Sequence, residues 1–318
     1  MTEPTIVVAG EALVDLVAEA DGRYRPVPGG SPANVAVGLS RLGARTHLLA
    51  RLSPGVLGRL VRTHLTDNGV RLDHAVDAVE PTTLAVVSVD DHGGATYDFY
   101  ANGTADWGWR AEELPDPLPA GTVALCTGSI AVAREPGAAA LADLVRREHG
   151  RGEVTVVLDP NVRPALLGPP DEVARRWDEL VPLADVIKVS DEDLARLAPG
   201  HDPVRLAASW AERGPALVVV TRGGDGALGV TSGGVEAVVD AHPVDIVDTV
   251  GAGDAFTAGL VDALRLAGLL GDRSHTALAS MDAAGLRDVL DRAAVVAAIT
   301  CGRRGADPPT AAEVAALS

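Results

Sequence analysis

An aspartate that follows a glycine-rich turn is the most suggestive chemical group of the sequence. In VDTVGAGDAF (247–256), Asp254 directly follows a short turn of Gly251, Ala252 and Gly253. Glycines let backbone amides converge on a ligand, and amides at a helix start form an anion site together with the helix dipole. A carboxylate beside bound phosphate would suit a general base that takes the proton of an attacking hydroxyl. An ordinary acidic residue of a first helical turn explains the stretch equally well, so both interpretations stay open here.

Two other phosphate-binding patterns are excluded by their context. GDGALG (224–229) matches the dinucleotide fingerprint G-x-G-x-x-G, but a strand pattern follows it, whereas that fingerprint must open a helix. A Walker P-loop needs a lysine after its last glycine, and the only lysine of the chain, Lys188, lies in the apolar run VIKVS.

Composition and charge limit the kind of partner. The chain has 318 residues, a formal net charge of −17 and no basic run, which argues against nucleic acid or an anionic membrane as a partner. Cys126 and Cys301 stand apart, without the spacing of a metal site or a redox pair. The N-terminus does not resemble a signal peptide, and no apolar run approaches the roughly 20 residues that cross a bilayer, so we expect a cytoplasmic protein.

Apolar strands alternate with helical patterns, which predicts an α/β fold with a mostly parallel sheet covered by helices on both faces. The main strand candidates are TIVVAG (5–10), VALCTG (123–128), VTVVLDP (154–160), DVIKVS (185–190) and ALVVVT (216–221). SPANVAVGLSRLG (31–43) predicts a buried helix with Ser31 as its N-cap and Gly43 as its stop. Early hairpins, within about 12–30 and 82–106, predict a small β lid, and we expect residues 1–318 to form one domain.

Two distant motifs resemble the signatures of one enzyme family. GGSPANVAVGLSRLG (29–43) is similar to the N-terminal signature of the ribokinase-like (PfkB) carbohydrate kinases, and DTVGAGDAFTAGL (248–260) is similar to their C-terminal signature. The likeness continues through PLADVIKVSDEDL, VVTRGGDGA and CGRRGA, and thus covers nearly the whole chain. Among the subgroups, the bacterial fructokinases are the most similar, because GEALVD, DPNVRP and GTADW are also present.

The resemblance implies a fold, a reaction and a set of site residues. The fold would be a three-layer sandwich with a mostly parallel central sheet and a small β-sheet lid. The reaction would be the ATP-dependent phosphorylation of a sugar hydroxyl, with fructose as the expected substrate and its 6-hydroxyl as the acceptor. Asp254 would be the catalytic base, and the amides of 251–253 would form the anion hole. The sugar would contact Asp15, Gly29, Gly30, Asn34, Tyr100 and Arg163. ATP would contact Ser190, Thr221, Gly223 and Gly226. Mg²⁺ would lie near Asp193, and a monovalent cation such as K⁺ near Asp248.

Three positions depart from the family pattern. Ser190 and Asp193 stand where the family has an asparagine and a glutamate tied to magnesium and phosphate. The loop SPGVLG (53–58) lacks the aspartate found there in the family. Ala101 replaces an arginine that a 2-keto-3-deoxygluconate kinase would need for the substrate carboxylate, which favours a neutral sugar unless Arg23, Arg25 or Arg163 supplies that cation.

Several alternatives remain at this point. The same chemistry on 2-keto-3-deoxygluconate, ribose or a nucleoside would use the same motifs. A sugar-binding regulator without catalytic activity would also fit the altered magnesium positions. An exposed strand edge of the lid could pair with a second copy of the chain and give a homodimer.

Overall fold

The computed structural model describes residues 3–19, 21–89 and 95–317. Within these ranges the strands are β1 (Thr5–Ala9), β2 (Leu13–Ala18), β3 (Tyr24–Gly29), β4 (Arg45–Leu49), β5 (Arg51–Leu52), β6 (Val76–Asp77), β7 (Leu84–Val89), β8 (Ala95–Tyr100), β9 (Thr122–Gly128), β10 (Thr155–Asp159), β11 (Val186–Ser190), β12 (Leu217–Thr221), β13 (Ala227–Thr231) and β14 (Glu236–Val239). The helices are α1 (Ser31–Arg41), α2 (Val56–Asp67), α3 (Ala138–Arg151), α4 (Pro170–Leu180), α5 (Asp191–Leu197), α6 (Pro203–Ala211), α7 (Ala252–Leu266), α8 (Ser274–Ala279), α9 (Ala283–Cys301) and α10 (Ala311–Ala315).

The main sheet has the strand order β14-β13-β12-β11-β10-β9-β1-β4. All neighbouring strands from β12 to β4 pair in parallel, and the hairpin β13–β14 extends the sheet in antiparallel fashion. Because the central strands run in one direction, their carboxyl ends lie along one edge, where open α/β sheets bind their ligands.

Helices cover both faces of this sheet, as the continuous apolar strands predict. Alternate residues of β1 separate into two hydrophobic clusters, with Ile6 and Val8 in one and Val7 and Ala9 in the other. The first cluster contains side chains of α1, α7 and α9, and the second contains those of α3, α4 and α6. This burial on both sides explains why the central strands carry almost no polar residues.

A second sheet of four strands, in the order β3-β2-β7-β8, is separate from the main sheet. Its pairs β2–β3 and β7–β8 are antiparallel, and β2–β7 is parallel. We call this sheet the lid sheet. Residues 90–94, within the hairpin predicted at about 82–106, lie outside the described residues. A third, two-stranded sheet joins β5 to β6, so the neighbouring strands β4 and β5 belong to two different sheets.

The start of α1 differs from the prediction. Gly30, with φ 101°, is the residue before the helix, and Ser31 is its first residue rather than its cap. The Ser31 hydroxyl is directed to another part of the fold, so it does not bind the free amides of its own helix. The predicted stop is correct, because α1 ends at Arg41 and Gly43 adopts φ 89°.

Among the residues described, the structure contains no helix with the length and apolar character required to span a membrane.

Candidate active site

Asp254 lies in the first turn of α7 and is held by two side chains of α1. Its Oδ1 accepts a hydrogen bond from Ser31 Oγ at 2.6 Å, and its Oδ2 accepts one from Asn34 Nδ2 at 2.8 Å. The two signatures, more than 200 positions apart in sequence, therefore meet at one carboxylate. Burial raises the pKa of Asp254, and the hydrogen bonds from Ser31 and Asn34 partly oppose this rise. A half-buried carboxylate of raised pKa, fixed from two sides, has the properties of a general base.

The turn before Asp254 presents backbone donors. Gly251 caps α7 in the left-handed conformation, with φ 78°, and a Cβ added there would stand 2.5 Å from the Cβ of Ala306. The Ala252 amide donates to the Thr249 carbonyl at 3.2 Å, whereas the amides of Gly251 and Gly253 have no protein partner in the described part of the chain. Free amides at the positive end of a 15-residue helix form a site for an anion.

A buried ion pair beneath this turn was not predicted as part of the site. Lys188 Nζ lies 3.0 Å from Asp159 Oδ2, and the same oxygen accepts a hydrogen bond from Thr257 Oγ1 at 3.0 Å. A Cβ added to Gly253 would stand 3.2 Å from Lys188 Nζ, so the ammonium lies directly against the start of α7. The signal in the sequence was a lysine inside a buried strand, which is rare unless the charge is paired.

The predicted sugar-binding residues of the lid sheet lie close to this carboxylate. The charge of Asp254 raises the pKa of Asp15 of β2, and the charge of Arg163 lowers it, so both groups act on the Asp15 carboxylate. Burial is the main cause that raises the pKa of Asp15 to about 6, and Arg163 opposes it. A Cβ added to Gly29 would stand 2.4 Å from Asp15 Oδ2, so a side chain at position 29 would displace this carboxylate.

Three other predicted sugar contacts have different surroundings. Gly30 packs against the backbone of Glu11, with 2.7 Å between a Cβ added at Gly30 and the Glu11 carbonyl oxygen. Asn34 donates to Asp254 and keeps its side-chain oxygen available for a hydroxyl group. Tyr100, at the end of β8, is 64% exposed.

The predicted nucleotide residues line a cavity of about 630 Å³ at the carboxyl edge of the main sheet. Ser190 and Thr221, the last residues of β11 and β12, are register partners there. The cavity extends from these strand ends to the first turn of α7, and its further walls are the loop at 241–249 and one face of α9. The lining includes Arg163, Asp193, Gly223, Gly226, Ala252 and Gly253. A cavity lined by both apolar side chains and polar groups suits a nucleotide.

Ser190 and Asp193 are engaged with each other. Ser190 caps α5, because its Oγ accepts a hydrogen bond from the Asp193 amide at 3.0 Å. Asp193 Oδ1 accepts from the Val162 amide at 3.2 Å and from Arg196 Nη1 at 3.1 Å. Burial, followed by the charge of Asp159, raises the pKa of Asp193.

The described residues contain no group of three metal-ligating side chains. A Mg²⁺ ion bound with a nucleotide needs few protein ligands, since phosphate oxygens and water complete its shell. Asp193, which borders the cavity with a buried carboxylate, fits that role.

Asp248 connects the loop before α7 to the segment after α9. Its Oδ1 accepts from the Val250 amide at 3.0 Å, and its Oδ2 accepts from the Gly305 amide at 2.8 Å. The amides of Val247 and Asp248 both donate to the Cys301 carbonyl, at 2.9 and 3.2 Å. Carboxylate and carbonyl oxygens are the ligand types that a hard cation prefers, and here both Asp248 oxygens accept hydrogen bonds from backbone amides.

Comparisons with known proteins identify the family of the chain. The sequence model described as "pfkB family carbohydrate kinase" matches residues 3–312. A fructokinase of Klebsiella pneumoniae is 37% identical over 270 residues, which cover 83% of this chain and 85% of that protein.

The solved structures to which this chain is similar include fructokinases. The fructokinase of Xylella fastidiosa with bound ATP superposes with a TM-score of 0.89 at 28% identity, covering 99% of this chain and 98% of that one. A double mutant of the Vibrio cholerae O395 fructokinase, with fructose, ADP and potassium ion bound, gives a TM-score of 0.85 at 29% identity, with 99% and 98% coverage. The predicted α/β fold with its smaller sheet is thus confirmed. The chain is a sugar kinase and belongs to the pfkB family of carbohydrate kinases.

Proposed function

We propose that this kinase transfers the γ-phosphoryl group of ATP to the 6-hydroxyl of fructose, with Asp254 as the base. The observation that carries the proposal is the contact of Asp254 with both Ser31 and Asn34, beside free amides at the start of α7. The fructokinase names of its relatives, and the fructose and ADP bound to one of them, support fructose as the substrate.

The proposed transfer proceeds in one displacement. The sugar oxygen forms a bond to the γ-phosphorus while the bond from this phosphorus to the leaving ADP oxygen breaks. The hydroxyl proton moves to the carboxylate of Asp254. The amides of Gly251 and Gly253 stabilise the charge on the phosphoryl oxygens, which is the larger contribution in such reactions. The products are ADP and the sugar phosphate, and the protonated Asp254 returns its proton to water.

The sugar is proposed to bind between the lid sheet and α1. Asp15 would accept hydrogen bonds from two hydroxyls, and the side-chain oxygen of Asn34 would accept a third. Gly29 and Gly30 would allow the sugar to approach the backbone, and Arg163 and Tyr100 would border its outer side. The lid sheet would exclude water, which otherwise competes as the phosphoryl acceptor.

Two cations are expected to assist the reaction. Mg²⁺ bound with ATP would be held by Asp193 and would offset negative charge on the phosphates. K⁺ would be held near Asp248, where it would order the loop before α7. The nucleotide itself would contact Ser190, Thr221, Gly223 and Gly226 in the cavity at the sheet edge.

The experiment is a comparison of acceptor sugars in a coupled assay of ADP release with Mg·ATP. Fructose, ribose, 2-keto-3-deoxygluconate and a nucleoside are tested, and ³¹P NMR identifies the phosphorylated carbon. Fructose should give the highest kcat/KM, by at least about tenfold, since hydrogen-bonding sites reject poorly matched hydroxyls strongly. A higher kcat/KM for another acceptor would identify that acceptor, and not fructose, as the substrate. Calorimetric binding of fructose without ADP release would indicate a sugar-binding regulator instead.

A further inference from the structure

Lys188 occupies a position at which a cation is unfavourable in the absence of a bound anion. The residue is 4% exposed, and its ammonium lies against the start of α7, where the helix dipole is positive. Strand β11 fixes it there, with Lys188 paired to Val219 of β12. A positive charge beside free amides creates strong positive potential at one point of the cavity.

Asp159, the counter-charge of Lys188, occupies only one of the hydrogen-bond donors of the ammonium group. Asp159 accepts one hydrogen bond from Nζ, and it is the only hydrogen-bond partner of Nζ among the residues described. An ammonium has three donors, and Lys188 also lines the cavity together with Gly253. Two donors are therefore left for a ligand beside the anion site.

The ammonium lies next to the turn whose amide is proposed to bind the transferring phosphoryl group, because a Cβ added to Gly253 would stand 3.2 Å from Lys188 Nζ. Its charge also lowers the pKa of Asp254 and that of Asp193, so it acts on the proposed base and on the proposed magnesium residue.

We propose that Lys188 is a catalytic residue whose Nζ donates hydrogen bonds to oxygens of the transferring phosphoryl group, while Asp159 and Thr257 hold it in place. The lysine keeps its proton throughout and stabilises the negative charge that shifts onto these oxygens as the bond to ADP lengthens. The inference rests on the proposed phosphoryl-transfer site, but it does not depend on fructose as the acceptor.

The first test separates this role from that of a structural ion pair. Lys188→Met leaves Asp159 buried without a partner, whereas Lys188→Met combined with Asp159→Asn removes both charges and keeps an acceptor for Thr257. We expect kcat to fall by about 10²–10³ in both variants, as for loss of one donor to a developing charge. The melting temperature should recover in the double variant, and the Kd of ADP and of the sugar should change little. Recovery of kcat together with stability would overturn the proposal.

A matched control removes a cation from another buried pair. Arg292 binds the buried Asp262 of α7, Arg265 also binds this carboxylate, and none of the three lines the cavity. Arg292→Met should lower the melting temperature and leave kcat within about twofold, because Asp262 keeps a partner. All assays use the best acceptor of the sugar comparison. Asp254→Asn is measured in parallel, so that failure of the base assignment and failure of the Lys188 assignment give different results.

The second test uses the unaltered protein and does not depend on the folding of a variant. A crystal structure with ADP, the sugar and tetrafluoroaluminate, a mimic of the transferring group, should show Nζ within about 3.2 Å of a fluorine. Calorimetry should show tetrafluoroaluminate tightening ADP binding in the unaltered protein. A separation of more than about 5 Å in the crystal would overturn the proposal.

Discussion

The two ends of the candidate site are held in different ways. At the phosphoryl-transfer end, Asp254 is bound by two side chains of α1, and Lys188 is bound by Asp159. At the sugar end, the Asp15 carboxylate has no hydrogen bond to the described residues, and Tyr100 is largely exposed. The first end is formed where α1, α7 and the main sheet pack together, whereas the second belongs to the separate lid sheet.

This difference separates the reaction from the choice of sugar. Groups that stabilise a transition state need fixed positions, because their benefit depends on preorganisation. Groups that select a substrate gain their partners only when the substrate is bound. Substitutions at the two ends should therefore act on different kinetic constants, and the following predictions test that division.

The largest effect is expected for Asp254→Asn. The amide keeps the size of the side chain but cannot accept the hydroxyl proton, so kcat should fall by about 10²–10⁴. Rapid-quench or steady-state assays measure this loss. Calorimetry should show sugar binding close to that of the unaltered protein. If kcat of the variant stays within about threefold of that of the unaltered protein, Asp254 is not the base.

A smaller effect, on KM rather than kcat, is expected for Asp15→Asn. Loss of a charged hydrogen-bond acceptor should raise the KM of the sugar by roughly 10- to 100-fold. The pKa of Asp15 is about 6 in the folded chain, so the KM of the unaltered kinase should rise as pH falls through that value. The Asp15→Asn variant should lack this rise. If Asp15→Asn lowered kcat as much as Asp254→Asn does, the proposed division between the sugar end and the phosphoryl-transfer end would be wrong.

The smallest effect concerns a pair of buried carboxyl groups beneath the lid sheet. Burial raises the pKa of Glu11 to about 7, and nearby Asp106 contributes to this rise. The folded chain thus holds this proton more tightly than the unfolded chain, in which the pKa is about 4.3. Stability from this group is lost as pH rises from about 4 through 7.

Glu11→Gln should remove that loss while it keeps an acceptor oxygen for the Ala131 amide. Thermal unfolding at several pH values should show a melting temperature that falls less with pH than in the unaltered protein, by on the order of a few °C. Glu11 has no proposed role in the reaction, and Gly30 packs against its backbone rather than its carboxyl group, so kcat should be unchanged. If the melting temperature falls equally with pH in both proteins, the raised pKa of Glu11 is refuted.

Much of the fold and of the reaction could be predicted from sequence because these signals are local. The all-round apolar pattern of 31–43 gave a buried helix, and the glycine turn before Asp254 gave an anion site. Long-range pairing could not be predicted in this way. The bond from Ser31 to Asp254 joins positions 223 apart, so a local view assigned the hydroxyl to a helix cap.

The ion pair of Lys188 was missed for a related reason. Asp159 ends β10, and Lys188 lies within β11, so their contact depends on the adjacency of two strands. The sequence shows both residues but not the strand order. Likewise, the close approach of Gly29 to the Asp15 carboxylate follows from the pairing of β2 with β3, which a motif alone does not show.

The most direct test of the account is a crystal structure with fructose and a non-hydrolysable ATP analogue. The account predicts the sugar 6-hydroxyl within about 3.2 Å of an Asp254 oxygen, with the γ-phosphate bound by the Gly251 and Gly253 amides. It would be contradicted by an Asp254 that remains bound only to Ser31 and Asn34, with every sugar hydroxyl more than about 5 Å away.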